Sequence, residues 1–223
     1  MKVAIHQVNY MPWLGFFNKL KQANKLVMYD IADYTKNDVQ NRNKIRTKEG
    51  WIYLTVPIEK KYYRRPFYEV LLSENNKWQN KHWKAIKLNY SKADYFDSYK
   101  DFFEKLYKKK FMTLLELNEC ITIYLIKEFG INLDIIKTTD LELNRELKGT
   151  EMLIEILKKA GATTYLAGIG SKSYLDESKF KEIKLAYNCY IHPIYKQQFP
   201  GFQKYMSAID LLFNMGEKSK DLI

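Results

Sequence analysis

The first thirty residues constrain the fold more than any other part of this chain. Val3-Ala4-Ile5 is a strand-length apolar run closed by His6, and a polar, turn-prone stretch with Gln7, Asn9 and Pro12 follows. From Trp13 to Ala23, the residues Trp13, Phe16, Phe17 and Leu20 recur at helical spacing, with Pro12 suited to the first turn. Leu26 to Tyr29 is a second strand, ending at Asp30. Strand, helix, strand over so short a distance is the βαβ unit of a parallel sheet. The chain is therefore expected to be α/β, with a Rossmann-like parallel sheet.

The remainder keeps that rhythm, with one interruption. Trp51 to Ile58 reads as a third strand, β-branched and aromatic, with Pro57 near its end. Residues from about 77 to 129 read as a helical insertion or flank, with helices at Trp78–Asn89, Ser98–Lys109 and Thr113–Phe129 and a stop at Gly130. Strands return at Leu133–Ile136, Thr164–Ala167 and Ile183–Ile191, with a helix over Glu151–Ala160. Ser207 is expected to cap a last helix, with Asp210 at the capping-box position and Gly216 as the stop. No repeat or long linker divides residues 1–223, which points to one domain with a helical segment.

Composition narrows the function classes. The net charge of +11 invites a nucleic-acid reading, but only five of the 37 basic residues are arginines, at 42, 46, 64, 65 and 145. Arginine is the residue that planar recognition of phosphate and base edges favours. Nucleic acid is therefore not the expected partner. The excess charge suits an anionic substrate instead: a nucleotide, a nucleotide sugar or an acidic carrier protein. No run is long enough to span a bilayer, and MKVAIHQVNY lacks the pattern of a signal peptide. The two cysteines, Cys120 and Cys189, form no motif and fit reduced thiols, so a cytoplasmic location is expected. His and Cys nowhere fall at metal-ligand spacing, so no metal is expected, and the sequence leaves the cofactor unknown.

Ligands of open parallel sheets bind beyond the carboxyl ends of the strands. Three polar clusters fall at such ends. The first is His6-Gln7-Val8-Asn9-Tyr10, leading into the helix that carries Trp13 and Gly15, whose N-terminus favours an anion. The second is Asp30, followed by Asn41-Arg42-Asn43. The third is Gly168-Ile169-Gly170-Ser171 with Tyr174 one turn on, where glycines let a backbone approach a bound group. Each has a purely structural reading. His6 suits a hydrogen-bonded strand end, Asn41-Arg42-Asn43 a self-satisfied turn, and the glycine pair an ordinary loop. The start also echoes nucleotidylyltransferases, whose strand leads to an HxGH motif. With Gly15 on that glycine, Trp13 and Phe16 stand where the histidines would be, and aromatics do not stabilise a transferring phosphoryl group.

IHQVNYMPWLGFFNKL, QNRNKI with GWIYLTVPI, TTYLAGIGSKSYL and YKQQFPGFQKYMSAIDLLFNMG together resemble the WbqC-like family, in the same order and over nearly the whole chain. The family's characteristic positions match His6, Gln7, Tyr10, Trp13 and Gly15, then Asp30, Asn41, Arg42 and Asn43. Gly168, Tyr174, Gln197, Phe199, Ser207, Asp210, Asn214 and Gly216 match as well. The resemblance implies a bacterial protein of surface-polysaccharide or O-antigen gene clusters. Two departures stand out. Val8 replaces a usual proline, and Asp30-Ile31-Ala32-Asp33 replaces an Asp-Asp pair, which puts a divalent-metal role in doubt.

Two functions from different classes follow. One is a transferase moving an acyl or aminoacyl group, from an acyl donor or carrier, onto the nitrogen of a nucleotide-linked amino sugar. His6 would be the base, oriented by Asp30. Gln7, Asn41 and Asn43 would supply donors to the oxyanion, and Arg42 would hold a phosphate or carboxylate. Asn9, Tyr10, Trp13, Gly168, Gly170, Ser171, Tyr174, Gln197, Ser207 and Asp210 would complete the binding surface. The rival is a non-catalytic protein that holds a sugar nucleotide or docks a partner through the same cleft. Both place the two ends of the chain at one cleft, with His6 sharing a pocket with Tyr174, Gln197, Ser207 or Asp210.

Overall fold

The structure is a computed structural model that describes residues 1–75 and 77–223. Its centre is a five-stranded, all-parallel sheet built from β1 (Lys2–His6), β2 (Lys25–Met28), β5 (Asp134–Lys137), β6 (Thr164–Gly168) and β7 (Lys184–Asn188). The spatial order is β5-β2-β1-β6-β7. Counted along the chain, these strands are third, second, first, fourth and fifth, the Rossmann order. The α/β, Rossmann-like expectation holds.

The sheet is covered on both faces, and alternation along its strands assigns each side chain to a face. Val3, Ile5, Val27, Tyr165 and Ala167 pack against α5 (Gly149–Lys159) through Ile156 and Leu157. Ala4, Leu26, Met28 and Leu166 belong to a larger core with α1 (Leu14–Lys21), where Phe16, Phe17 and Leu20 are buried. Each such side chain contributes about 1.5–3 kcal/mol. The helical segment comprises α2 (Lys77–Tyr90), α3 (Phe96–Lys108) and α4 (Leu114–Glu128). It enters the chain between the neighbouring strands β2 and β5 and joins that same larger core. Thr113 and Glu116 form a capping box at the start of α4, and Gly130, at φ +63°, stops it.

Trp51 to Ile58 does not extend the parallel sheet. Its first part is β4 (Gly50–Thr55), paired antiparallel with β3 (Arg42–Thr47) through a two-residue loop. A separate hairpin results, and Arg46 locks it to the C-terminal segment by donating to the Pro200 and Gly201 carbonyls at 2.6 and 2.8 Å. The final helix, α6 (Ala208–Met215), starts at Ser207, but the expected capping box is absent. The Ser207 hydroxyl makes no cap bond, and the Asp210 carboxylate is drawn elsewhere. It accepts from Tyr90 at 2.9 Å, Tyr195 at 2.7 Å and Gln197 at 2.7 Å, which ties α6 to α2 and to the C-terminal loop. Among the described residues, no helix is long and apolar enough to cross a membrane.

Candidate functional site

Strand order reverses between β1 and β6, and a cavity of about 590 Å³ opens there at the carboxyl ends of the strands. His6 and Gly168, the last residues of β1 and β6, stand on its wall with Gln7, Asn9, Gly170 and Ser171. Tyr174 lies at its rim, 69% exposed. Both outer clusters expected from the sequence therefore meet in one cavity. A Cβ placed on Gly168 or Gly170 would meet nothing within 4 Å, so these glycines leave space that a side chain would fill.

The residue that the sequence reading missed is Lys19. It lies on α1, is only 3% exposed, and lines the cavity wall. Its ammonium donates to the Ile5 carbonyl at 3.1 Å. Among the described residues it has no carboxylate partner, and no acidic residue lines the cavity. Burial of an uncompensated cation disfavours the charged form and pulls the Lys19 pKa down to about 7. The signal was present in the sequence, since Phe16, Lys19 and Ala23 follow the i, i+3, i+7 spacing of the buried stripe. A lysine on that stripe is the anomaly.

His6 packs edge-on against Phe16, at 4.8 Å between ring centroids, and bonds the Gln7 carbonyl through Nδ1 at 2.8 Å. A carbonyl only accepts, so Nδ1 carries the proton and Nε2 is the basic nitrogen. Burial, and secondarily the charge of Lys19, pull the His6 pKa down to about 3, so the ring is neutral at physiological pH. Beside it, Asn9 is 3% exposed and its Oδ1 has no hydrogen-bond partner among the described residues. The cavity thus holds a buried cation without a counter-charge and a buried carboxamide oxygen without a donor. Both are costs that a ligand relieves.

Asp30 does not sit with His6. Its carboxylate accepts from the Thr138 and Thr139 hydroxyls at 2.5 and 2.6 Å and from the Thr139 backbone at 3.1 Å, joining the end of β2 to the turn after β5. Tyr10 is buried and bonds His82 Nδ1 at 2.9 Å and the Tyr107 hydroxyl at 2.6 Å, which fixes the loop that carries Asn9 to the helical segment. Asn41 donates to the Val56 carbonyl at 2.8 Å within the fold. Gln197, Ser207 and Asp210 are likewise interior. The Ser171 hydroxyl donates to the Gly168 carbonyl at 2.7 Å and so shapes its own turn.

Trp13, Arg42 and Asn43 fall in a second pocket of about 300 Å³, which shares Val39 with the first. Tyr205 forms part of its wall, so the N-terminal loop and the C-terminal segment meet there. The Trp13 ring covers Gly15, where any side chain would collide with the indole.

The WbqC-like protein family matches residues 7–222. The chain belongs to the WbqC-like family. It is also 34% identical to the uncharacterized protein Rv1507c of Mycobacterium tuberculosis, over 100% of this chain and 97% of the relative. No solved structure matches it. In this WbqC-like protein, the positions that carry the resemblance fall into three groups, of which Trp13, Arg42 and Asn43 at the second pocket are one. His6, Gln7, Gly168 and Tyr174 line the switch-point cavity, whereas Tyr10, Asp30, Asn41, Gln197 and Asp210 hold the frame around it. Val8, at the first departure, is buried, and its carbonyl accepts from Asn118 at 3.4 Å, which anchors the loop without a proline.

Proposed function

We propose that this protein transfers an acyl or aminoacyl group to the amine of a nucleotide-linked amino sugar bound in the switch-point cavity, as part of surface-polysaccharide biosynthesis. The observation that carries this reading is Lys19, a buried cation facing an acid-free cavity. An anionic substrate supplies the missing counter-charge and holds Lys19 in its ammonium form. Asn9 Oδ1 accepts a hydrogen bond from the sugar. The amine nitrogen attacks the acyl carbonyl of a thioester donor and forms the C–N bond. His6 Nε2 takes the proton released by the amine, and the C–S bond breaks. The proton then passes to the departing thiolate. Burial first, and the Lys19 charge second, hold His6 below its ordinary basicity, and a bound anion offsets the second of these.

The low basicity of His6 in the empty cavity also favours a second reading, a non-catalytic holder of the same nucleotide sugar. The test is mass spectrometry of UDP-glucosamine after incubation with acetyl-CoA and the protein. N-acylated product that is lost in His6→Asn, with binding retained, supports transfer. Saturable binding without product at any donor concentration supports the holder.

A further inference from the structure

We propose that the second pocket binds the phosphorylated nucleotide end of the acyl donor. The inference rests on the transferase reading only in naming the donor. The pocket itself stands on the hairpin. Arg42 and Lys44 lie two residues apart on β3, and therefore on one face of the strand. Tyr53 is the cross-strand partner of Lys44 and lies with Trp51 on the same face.

The result is an alternating row of cations and rings. The Arg42 guanidinium lies 4.2 Å from the centre of the Tyr53 ring. The Lys44 ammonium lies 4.1 Å from Trp51 and 5.7 Å from Tyr53. Among the described residues neither cation is in an ion pair. Asp38 is the acid on this wall, and its Oδ1 accepts from the backbone of Val39 at 2.7 Å. Trp51 and Tyr53 remain 42% and 41% exposed with Lys44 and Arg42 lying over their rings, so the guanidinium plane backed by Tyr53 is the platform for a planar guest. Trp13 and Tyr205 close the opposite side, 5.8 Å apart between ring centroids.

Charge and ring together select the ligand. Phosphate oxygens suit Arg42 and Lys44, while a nucleobase stacks on an aromatic ring or on the guanidinium plane. A sugar alone would use the rings and leave the cations idle, and inorganic phosphate would do the reverse. A volume of about 300 Å³ suits one nucleotide rather than a whole donor. Val39, common to both cavities, marks the point where the acyl arm would pass toward the sugar amine.

The geometry also fixes the wall. Asn43 donates to the Met11 carbonyl at 2.5 Å and holds β3 against the loop that carries Asn9. The Ser207 backbone donates to the Lys44 carbonyl at 2.9 Å, so the start of α6 sets the position of Lys44.

Calorimetric titration of the full chain with ADP and pyrophosphate tests this assignment. ADP affinity is expected to fall at least tenfold in an Arg42→Gln, Lys44→Gln double variant. Tyr53→Leu is expected to weaken nucleotides but not pyrophosphate. Lys19→Met is expected to leave ADP affinity unchanged. The assignment is overturned if ADP binding survives the double variant and is lost in Lys19→Met, because the nucleotide then sits in the first cavity. It is overturned equally if no nucleotide binds saturably, or if single-stranded oligonucleotides bind far more tightly than ADP with a steep salt dependence. Loss of acyl transfer with ADP binding intact would count against the proposed reaction and leave the nucleotide pocket standing.

Discussion

Two buried polar clusters in this protein are opposites. Around His82 and Asp210, the groups answer one another. Tyr10 bonds Tyr107 and His82 Nδ1, His82 Nε2 bonds the Thr55 carbonyl at 3.1 Å, and three donors converge on Asp210. Around Lys19, the groups do not. Among the described residues, the ammonium faces no carboxylate, and Asn9 keeps an oxygen without a donor. Both clusters contain a histidine pushed below its usual pKa, to about 4 for His82 and about 3 for His6, by burial first in each case. A shifted pKa therefore does not distinguish frame from site here. Satisfaction of the neighbouring groups does. Single unpaired oxygens also occur in the frame, at Asn41, Asn118 and Ser207, but at the cavity wall the unpaired oxygen of Asn9 shares its space with an unpaired cation.

The comparison makes the frame fragile to truncation and the site tolerant of it. The largest effect is expected at Asp210→Ala, which removes the shared acceptor of the buried Tyr90, Tyr195 and Gln197. Urea denaturation should show a loss of about 3 kcal/mol or more. Tyr10→Phe leaves His82 Nδ1 and the Tyr107 hydroxyl without their shared partner and should cost about 1–3 kcal/mol by the same measurement. A stability near that of the parent in either variant would remove the distinction between the two clusters.

Lys19→Met should move in the other direction, raising the stability of the unliganded protein by on the order of 1 kcal/mol, because it removes a buried cation with no counter-charge. Its pH signature sharpens the test. Lys19 falls from 10.5 to about 7 on folding, so between those values the unfolded chain holds a proton that the folded chain lacks. This residue's contribution to stability therefore improves as pH rises through that window, and Lys19→Met should abolish that slope. His6 acts at the acid side. With 6.5 as its ordinary value and about 3 in the fold, it weakens the protein as pH falls between them, and His6→Asn should flatten that part of the profile. Ser207→Ala is expected to have the smallest effect, within about 0.5 kcal/mol, because the hydroxyl caps nothing.

Much of the frame was legible because it rests on local pattern. The run Val3 to Ile5 and the helical spacing of Phe16, Phe17 and Leu20 announce β1 and α1 without outside help. The β3 strand was not legible, because Arg42-Asn43-Lys44-Ile45-Arg46-Thr47 lacks an apolar alternation and earns its place through Arg46 and the C-terminal carbonyls. Asp210 misled for a related reason. Its spacing from Ser207 mimics a capping box, whereas its true partners, Tyr90 and Tyr195, lie on other segments. The site was half legible. Strand ends located His6, Asn9 and Gly168, but Lys19 reads as one more surface cation until its place on the buried stripe is weighed against its charge.

The central claim is that the switch-point cavity holds an unpaired cation for an anionic ligand. Calorimetric titration of UDP-glucosamine at about pH 8, in buffers of different ionisation enthalpy, tests it most directly. Above its pKa of about 7 in the unliganded fold, Lys19 is largely neutral and must take up a proton to meet the anion. The expected result is uptake of nearly one proton per ligand bound, with affinity falling as pH rises, and loss of both uptake and binding in Lys19→Met. Binding of equal affinity in Lys19→Met, with the same proton exchange as the parent protein, would contradict it.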